Sequence, residues 1–290
     1  MEKRKILNRL VKFFSVLLFI SFVFLIYFSF YSPPFNQLRV IFLDIGQGDA
    51  ILIKTPQNKN ILIDGGPDKG VIYKIDNYLS FNNRVVDLMI LTHPDPDHLN
   101  GLIEVLKRFK VKKLIVNSPL DDVFSLFKKL AEEKNLIPLV AEGPSKINLG
   151  RNLDLDFFWP PQDLEESGRG DNNHFSLVFK MTFDKVSFLF TGDVDLEAEN
   201  EIRKRGADLK VDVLKVSHHG SKNSSSLYFL EKTKPKYAVI SCGRDNRFGH
   251  PDPRVIEDLE KIGAQIFRTD KSGDIIFETD GELIKFKNRL

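Results

Sequence analysis

The chain has 290 residues, 42% of them hydrophobic, with 42 basic and 40 acidic side chains, which suits a globular protein able to bury a sizeable core. Its one cysteine, Cys242, excludes an intrachain disulfide and a cysteine-built zinc site, so any metal must be held by histidine and carboxylate. Lys3, Arg4, Lys5, Arg9 and Lys12 sit beside Glu2 at the N-terminus; without that head, 37 basic residues face 39 acidic ones, which excludes a globally basic nucleic-acid surface but leaves room for a local groove.

Residues 13–31 carry no charge, close to the ~20 residues a helix needs to cross a bilayer. A cleaved signal peptide has a shorter apolar region, about 7–15 residues, and ends on small residues. This stretch ends on Phe28, Phe30 and Tyr31, so an uncleaved anchor is expected. The basic head belongs in the cytoplasm by the positive-inside rule, which makes the protein single-pass with everything after Ser32 extracytoplasmic. Pro33 and Pro34 make a stiff spacer. Residues 1–34 are thus head, anchor and spacer, and 35–290 one folded domain.

From Leu38 the pattern changes to short strands. Strands are predicted at 38–44, 50–54 and 60–64, separated by the Gly-rich turn Ile45-Gly-Gln-Gly-Asp49 and a Pro56–Asn60 turn. A helix is expected over 71–80, a buried strand over 85–92 and an amphipathic helix over 99–109. A strand at 113–117 and a helix at 121–135 follow. Further strands are predicted near 147–158, 176–183, 186–191, 211–217 and 237–241, with helices near 195–205 and 253–262. Short strands near 265–268, 274–278 and 283–286 close the chain. This order fits an α+β fold, with two sheets packed face to face and helices outside.

The chemistry concentrates in Thr92-His-Pro-Asp-Pro-Asp-His-Leu-Asn-Gly101, four potential metal ligands within six residues directly after a buried strand. Pro94 and Pro96 are expected to keep the motif out of a helix, with His98 opening the helix that follows. His93 and Asp95 can then face one ion, and Asp97 and His98 its neighbour. His218 and His219 follow a predicted strand; adjacent side chains at a strand end diverge, so one of the two is expected to bind metal directly.

The motif resembles the His-x-His-x-Asp-His signature of the metallo-β-lactamase superfamily, with Asp95 in place of the second histidine. Phe42-Leu-Asp-Ile-Gly-Gln-Gly-Asp-Ala50, Asp64-Gly-Gly, Thr191-Gly-Asp193 and His218-His-Gly-Ser221 resemble the extracellular hydrolase-like domain of ComEC-type DNA-uptake competence proteins. The similarity runs over about residues 38–290, and the chain is also similar to the phosphorylcholine esterase branch of the superfamily. The resemblance implies a four-layer αβ/βα sandwich behind the N-terminal transmembrane helix. It implies two divalent ions, zinc first and manganese second, because Asp95 makes the site harder and more anionic. It further implies His93, Asp95, Asp97, His98, Asp193 and His219 as ligands, with Asp193 bridging. His174 either binds metal or orients substrate. Asp97, His218 and His250 are assigned to the chemistry, His218 touching a phosphoryl group or shuttling a proton. Asp44, Asp49 and Asp64 end strands on one side; Asp44 and Asp64 are expected to back the ligands, Asp64 by accepting a histidine N–H or merely by forming a turn.

Aspartate for histidine at 95 and the lack of a cysteine ligand argue against β-lactam hydrolysis. Three functions follow: a phosphodiesterase or nuclease in DNA uptake, a phosphorylcholine-type cell-surface esterase, or a non-catalytic DNA-binding partner of a separate competence channel protein. The complete set of acidic ligands argues against the last.

Overall fold

A computed structural model describes residues 2–30, 37–79, 84–118, 125–163 and 172–287. The Pro33–Pro34 spacer lies outside them. The chain divides into two compact units, Met1–Asn36 and Gln37–Leu290. The first is helix α1 (Glu2–Phe30), whose segment Arg4–Leu25 has a mean hydropathy of 1.9 and is long and apolar enough to cross a membrane.

The second unit opens with β1 (Leu38–Phe42), β2 (Ile51–Lys54) and β3 (Asn60–Ile63), then α2 (Gly70–Asp76), β4 (Val85–Val86) and β5 (Leu88–Ile90). After α3 (Pro96–Arg108) come β6 (Lys110–Val111), β7 (Leu114–Val116), α4 (Ser125–Glu133) and β8 (Pro138–Val140). The second half holds β9 (Ser145–Asn148), β10 (Leu153–Trp159), β11 (Val178–Phe183), β12 (Val186–Phe190), α5 (Leu196–Lys204) and β13 (Val213–Lys215). It ends with α6 (Leu227–Thr233), β14 (Tyr237–Ile240), α7 (Pro253–Lys261), β15 (Gln265–Arg268), α8 (Thr269–Ser272), β16 (Ile275–Thr279) and β17 (Ile284–Lys287).

One sheet runs β17-β16-β1-β2-β3-β5-β7-β8 and the other β15-β14-β13-β12-β11-β10-β9, while β4 and β6 pair separately. The inner faces meet in a core that includes Phe42, Phe157, Phe179, Phe188, Phe190 and Phe277. Each buried aromatic removes ~150–250 Å² from water, so these rings supply much of the driving force that joins the sheets. The outer face of the first sheet packs on α2, α3 and α4, and that of the second on α5, α6 and α7. The result is the expected four-layer αβ/βα sandwich. In β10 a bulge between Phe157 and Trp159 turns the strand over, so Phe157 faces the inter-sheet core and Trp159 the outer one.

The elements differ from their sequence reading at three telling places. The predicted strand 85–92 is two short pieces, β4 and β5, because Val85–Val86 pairs with β6 and not with the main sheet. Helix α6 and strand β8 went unread. Pro96 does not keep the ligand motif out of a helix: it occupies the first turn of α3, where its missing N–H costs nothing, so Asp97 and His98 are helical.

Candidate metal centre

The functional side chains gather beyond the carboxyl ends of β3, β5, β12 and β13, where loops from both sheets meet. Two glycines let α3 come this close. A Cβ on Gly101 would lie 1.7 Å from the Gly65 carbonyl oxygen, and one on Gly48 would lie 2.2 Å from the Asp97 carbonyl oxygen. Gly65 N–H donates to the His98 carbonyl at 2.8 Å, locking the first turn of α3 to the Asp64-Gly-Gly loop.

Three imidazoles are each held through Nδ1. Asp64, buried with φ 54°, accepts from Thr92 N–H at 2.8 Å and from the Thr92 hydroxyl at 2.7 Å. Its carboxylate also lies 2.9 Å from His98 Nδ1. Having given its one proton to Asp64, the Thr92 hydroxyl can only accept, so His93 Nδ1–H donates to it at 3.0 Å. His219 Nδ1–H donates to the Ser241 carbonyl at 2.9 Å. In every case Nε2 is left pointing inward, and the three Nε2 atoms are buried with no hydrogen-bond partner among the described residues.

Carboxylates face them. Asp193 Oδ2 lies 3.3 Å from His98 Nε2 and 3.2 Å from His219 Nε2, and Asp97 Oδ2 lies 3.3 Å from His219 Nε2. Asp95 Oδ2 is 3.8 Å from His93 Nε2, while its other oxygen accepts from Asn172 Nδ2 at 2.7 Å. Potential ligand atoms of His93, His98 and Asp193, and again of Asp97, His98 and His219, lie within 4.8 Å of one another. His98 therefore stands between two overlapping groups. Buried imidazole Nε2 atoms without partners, facing carboxylate oxygens, are the donor set a divalent cation requires, so the residues fit the metal this fold implies.

The charges of the cluster balance one another. Burial alone would strip His98 and His219 of their protons, but the facing carboxylates outweigh it: His98 is raised well above the usual histidine range and His219 to about 9. Burial, reinforced by the neighbouring imidazoles, depresses His93. Asp97 is pulled down to about 2, burial being overcome by His219 and His98. Asp193 is held far below the usual carboxylate range, burial again being outweighed by His219, His98 and Lys215.

Lys215 and Asp49 have no place in the ligand motif, yet both belong to the centre. Lys215, only 1% exposed, pairs with Asp49 Oδ2, donates to the Gly192 carbonyl at 3.2 Å and lies 3.6 Å from Asp193 Oδ1. Its signal in the sequence is a single lysine inside the apolar run Val213-Leu-Lys-Val216, three positions before the first of the paired histidines.

Other expected residues stand elsewhere. His174 is not brought to the cluster: its Nδ1 sits 3.1 Å from both oxygens of Asp195, the residue that caps α5, and its ring packs edge-on to Trp159. Among the described residues no group of potential ligands includes it. Asp44 is also apart, its backbone N–H bonded to Asp274 and its carboxylate 3.9 Å from Lys74. His218 and His219 are not at a strand end. They lie in a tight turn, Ser217–Gly220, whose backbone is left-handed at both, with φ of 49° and 54°; His219 is buried and His218 Nε2 lies 3.9 Å from Asp193 Oδ2. His250 packs against His218 with ring centroids 5.7 Å apart; burial first, then His219 and His218, lower it to about 4.

Two sheets face to face, helices outside, and a histidine–aspartate cluster at the strand ends are the arrangement of the metallohydrolase fold. The chain belongs to the metallo-beta-lactamase superfamily, which residues 43–244 match. It is 31% identical over 279 residues to ComE operon protein 3 of Bacillus subtilis, covering 88% of this chain and 34% of that protein. Recombination protein 2 of Haemophilus influenzae is 32% identical over 249 residues, covering 80% of this chain and 28% of its own length. The chain thus spans about a third of the length of these relatives. The structure of Igni18, a metallo hydrolase from Ignicoccus hospitalis, shares the fold with a TM-score of 0.55 at 16% identity, over 84% of this chain and 99% of that one.

Proposed function

We propose that this chain is a membrane-anchored phosphodiesterase that binds two divalent ions, zinc foremost, and cleaves DNA outside the cytoplasm during its uptake. The observation that carries the reading is the set of three Nδ1-anchored imidazoles whose Nε2 atoms converge on Asp97 and Asp193. Metal ions bound there supply Lewis acidity to a phosphoryl oxygen and make water acidic enough to attack at neutral pH. His93, Asp95 and Asp193 would hold one ion; Asp97, His98, Asp193 and His219 the other. Asp64, Thr92 and the Ser241 carbonyl hold the imidazoles in the ligating tautomer, the task of outer partners in metal sites generally. His218, a quarter exposed and beside Asp193, would meet the phosphoryl group or the leaving oxygen.

The name Recombination protein 2 and the resemblance to DNA-uptake competence proteins support DNA as the substrate, and the basic head followed by an apolar helix supports anchoring with the hydrolase unit outside. Hydrolysis of bis-p-nitrophenyl phosphate and of single-stranded DNA, each abolished by chelator and by Asp193→Ala, is the expected result. Activity that survives either treatment overturns the reading.

A further inference from the structure

We propose that Arg247 and Phe248 form a seat for an unpaired nucleobase at the mouth of the metal centre. The proposal rests on the phosphodiesterase reading for the bond that is cut; the stacking itself requires no cleavage.

A ladder of rings leads from the cluster to solvent. His218 Nε2 is 3.9 Å from Asp193 Oδ2, and the His218 and His250 rings are 5.7 Å apart. His250 in turn stacks on Phe248 at 5.7 Å with an interplanar angle of 24°. The Arg247 guanidinium lies over the Phe248 ring, 4.9 Å from its centroid. Exposure rises along the ladder, from the buried Asp193 to Phe248 at 53%.

A single exposed phenylalanine is ordinary, but this one is held in place. Asn246 Nδ2 donates to the Gly243 carbonyl at 2.9 Å and the His250 carbonyl at 2.7 Å, and its Oδ1 accepts from His250 N–H at 3.0 Å. Asp252 N–H donates to the Gly220 carbonyl at 2.8 Å, tying this loop to the turn that carries both histidines. Among the described residues no ion pair to a carboxylate holds Arg247, as none holds Arg151, Arg203 or Arg244, so its guanidinium is available over the Phe248 ring. A preformed loop therefore presents a planar cation and an aromatic ring beside the candidate cleavage site. Any base offers a π-face to such a surface, and the cation suits the adjoining phosphate. Bases in a duplex have both faces covered, so the seat selects unpaired strands. A base can lie on the guanidinium plane that the Phe248 ring backs, whereas a choline headgroup is disfavoured because the guanidinium repels a quaternary ammonium.

The test uses the full chain in detergent, metal-loaded, at fixed salt. Binding of fluorescent oligothymidylate is compared with binding of an abasic strand of equal length and of a duplex, by anisotropy, alongside hydrolysis. Phe248→Ala should weaken oligothymidylate binding about tenfold or more, leave the abasic strand unchanged, and be rescued by Phe248→Trp. Arg247→Lys, which keeps the charge but loses the planar face, should also weaken it. Equal loss on both strands, loss on neither, or a duplex bound as tightly as the single strand overturns the proposal. A wild-type chain that prefers bases but cleaves no strand leaves the seat standing and removes the phosphodiesterase reading.

Discussion

Metal binding should expel about two protons from this centre near neutral pH. In the metal-free protein His98 is raised well above its usual range and His219 to about 9, so both hold a second proton on the Nε2 that a metal would take. His93 is depressed and has none to lose. At about pH 7.5 a group with a pKa of about 9 is roughly 97% protonated, so His219 exchanges nearly a full proton for the metal, and His98, raised well above the usual histidine range, gives up its own as well. Apparent affinity should therefore rise about a hundredfold per pH unit there, and the slope should drop by about one as His219 titrates near 9. The metal-free protein has the opposite dependence. The stability that His219 contributes is complete below its unfolded value of 6.5 and is lost as pH rises through about 9. Chelator-competition titrations across this range, with calorimetry in buffers of different ionisation enthalpy, measure both quantities. A pH-independent affinity, or a proton count unchanged in His219→Ala, would refute the reasoning.

His219→Ala should lose metal, partly restored by excess metal, whereas His218→Ala should keep its metal and lose turnover by about 10²–10⁴-fold; metal analysis showing the reverse pattern would exchange their roles. Lys215→Met leaves the buried Asp49 carboxylate without the cation it pairs with and removes one of the three positive groups facing Asp193, so a chelator-treated sample should lose about 3–5 kcal/mol in urea unfolding. Added metal should recover part of that loss, because a cation again faces the two acids. Gly101→Ala drives a Cβ into the Gly65 carbonyl, so about 1–3 kcal/mol of stability should go, with metal content falling as the first turn of α3 shifts. Unchanged stability in that variant would mean the helix can retreat freely.

The two-sheet architecture was legible because strand periodicity, glycine turns and amphipathic helices are local properties, readable within a dozen residues. The candidate ligands at 93–98 were legible for the same reason: they fall within one turn of chain. The sequence also offered Asp64 as a partner for a histidine N–H, since it ends a strand on the same side as Asp44 and Asp49, although the two glycines after it fitted a mere turn equally. What it misjudged are points where distant segments decide. Pro94 and Pro96 read as helix breakers, but a proline at the first helical position is tolerated, and the close packing of Gly65 on Gly101 sets how near that helix comes to the Asp64 loop. His218 and His219 read as a strand end with diverging side chains. The backbone is instead left-handed at both residues, stabilised by contacts to Gly192 and Ser241 from neighbouring strands.

By itself, then, the order of residues determined the superfamily, the apolar N-terminal helix and the supply of nitrogen and carboxylate donors. Only the tertiary structure decided which atom of each histidine faces inward, because the partner of each Nδ1 comes from another segment: Thr92, itself held by Asp64, for His93; Asp64 for His98; Ser241 for His219. It also withdrew His174 to Asp195 and Asp44 to Lys74 and Asp274, and it brought Lys215 against Asp49. Local patterning reports propensity and periodicity. Tautomer and charge balance depend on groups that are distant in sequence and meet only when the two sheets close.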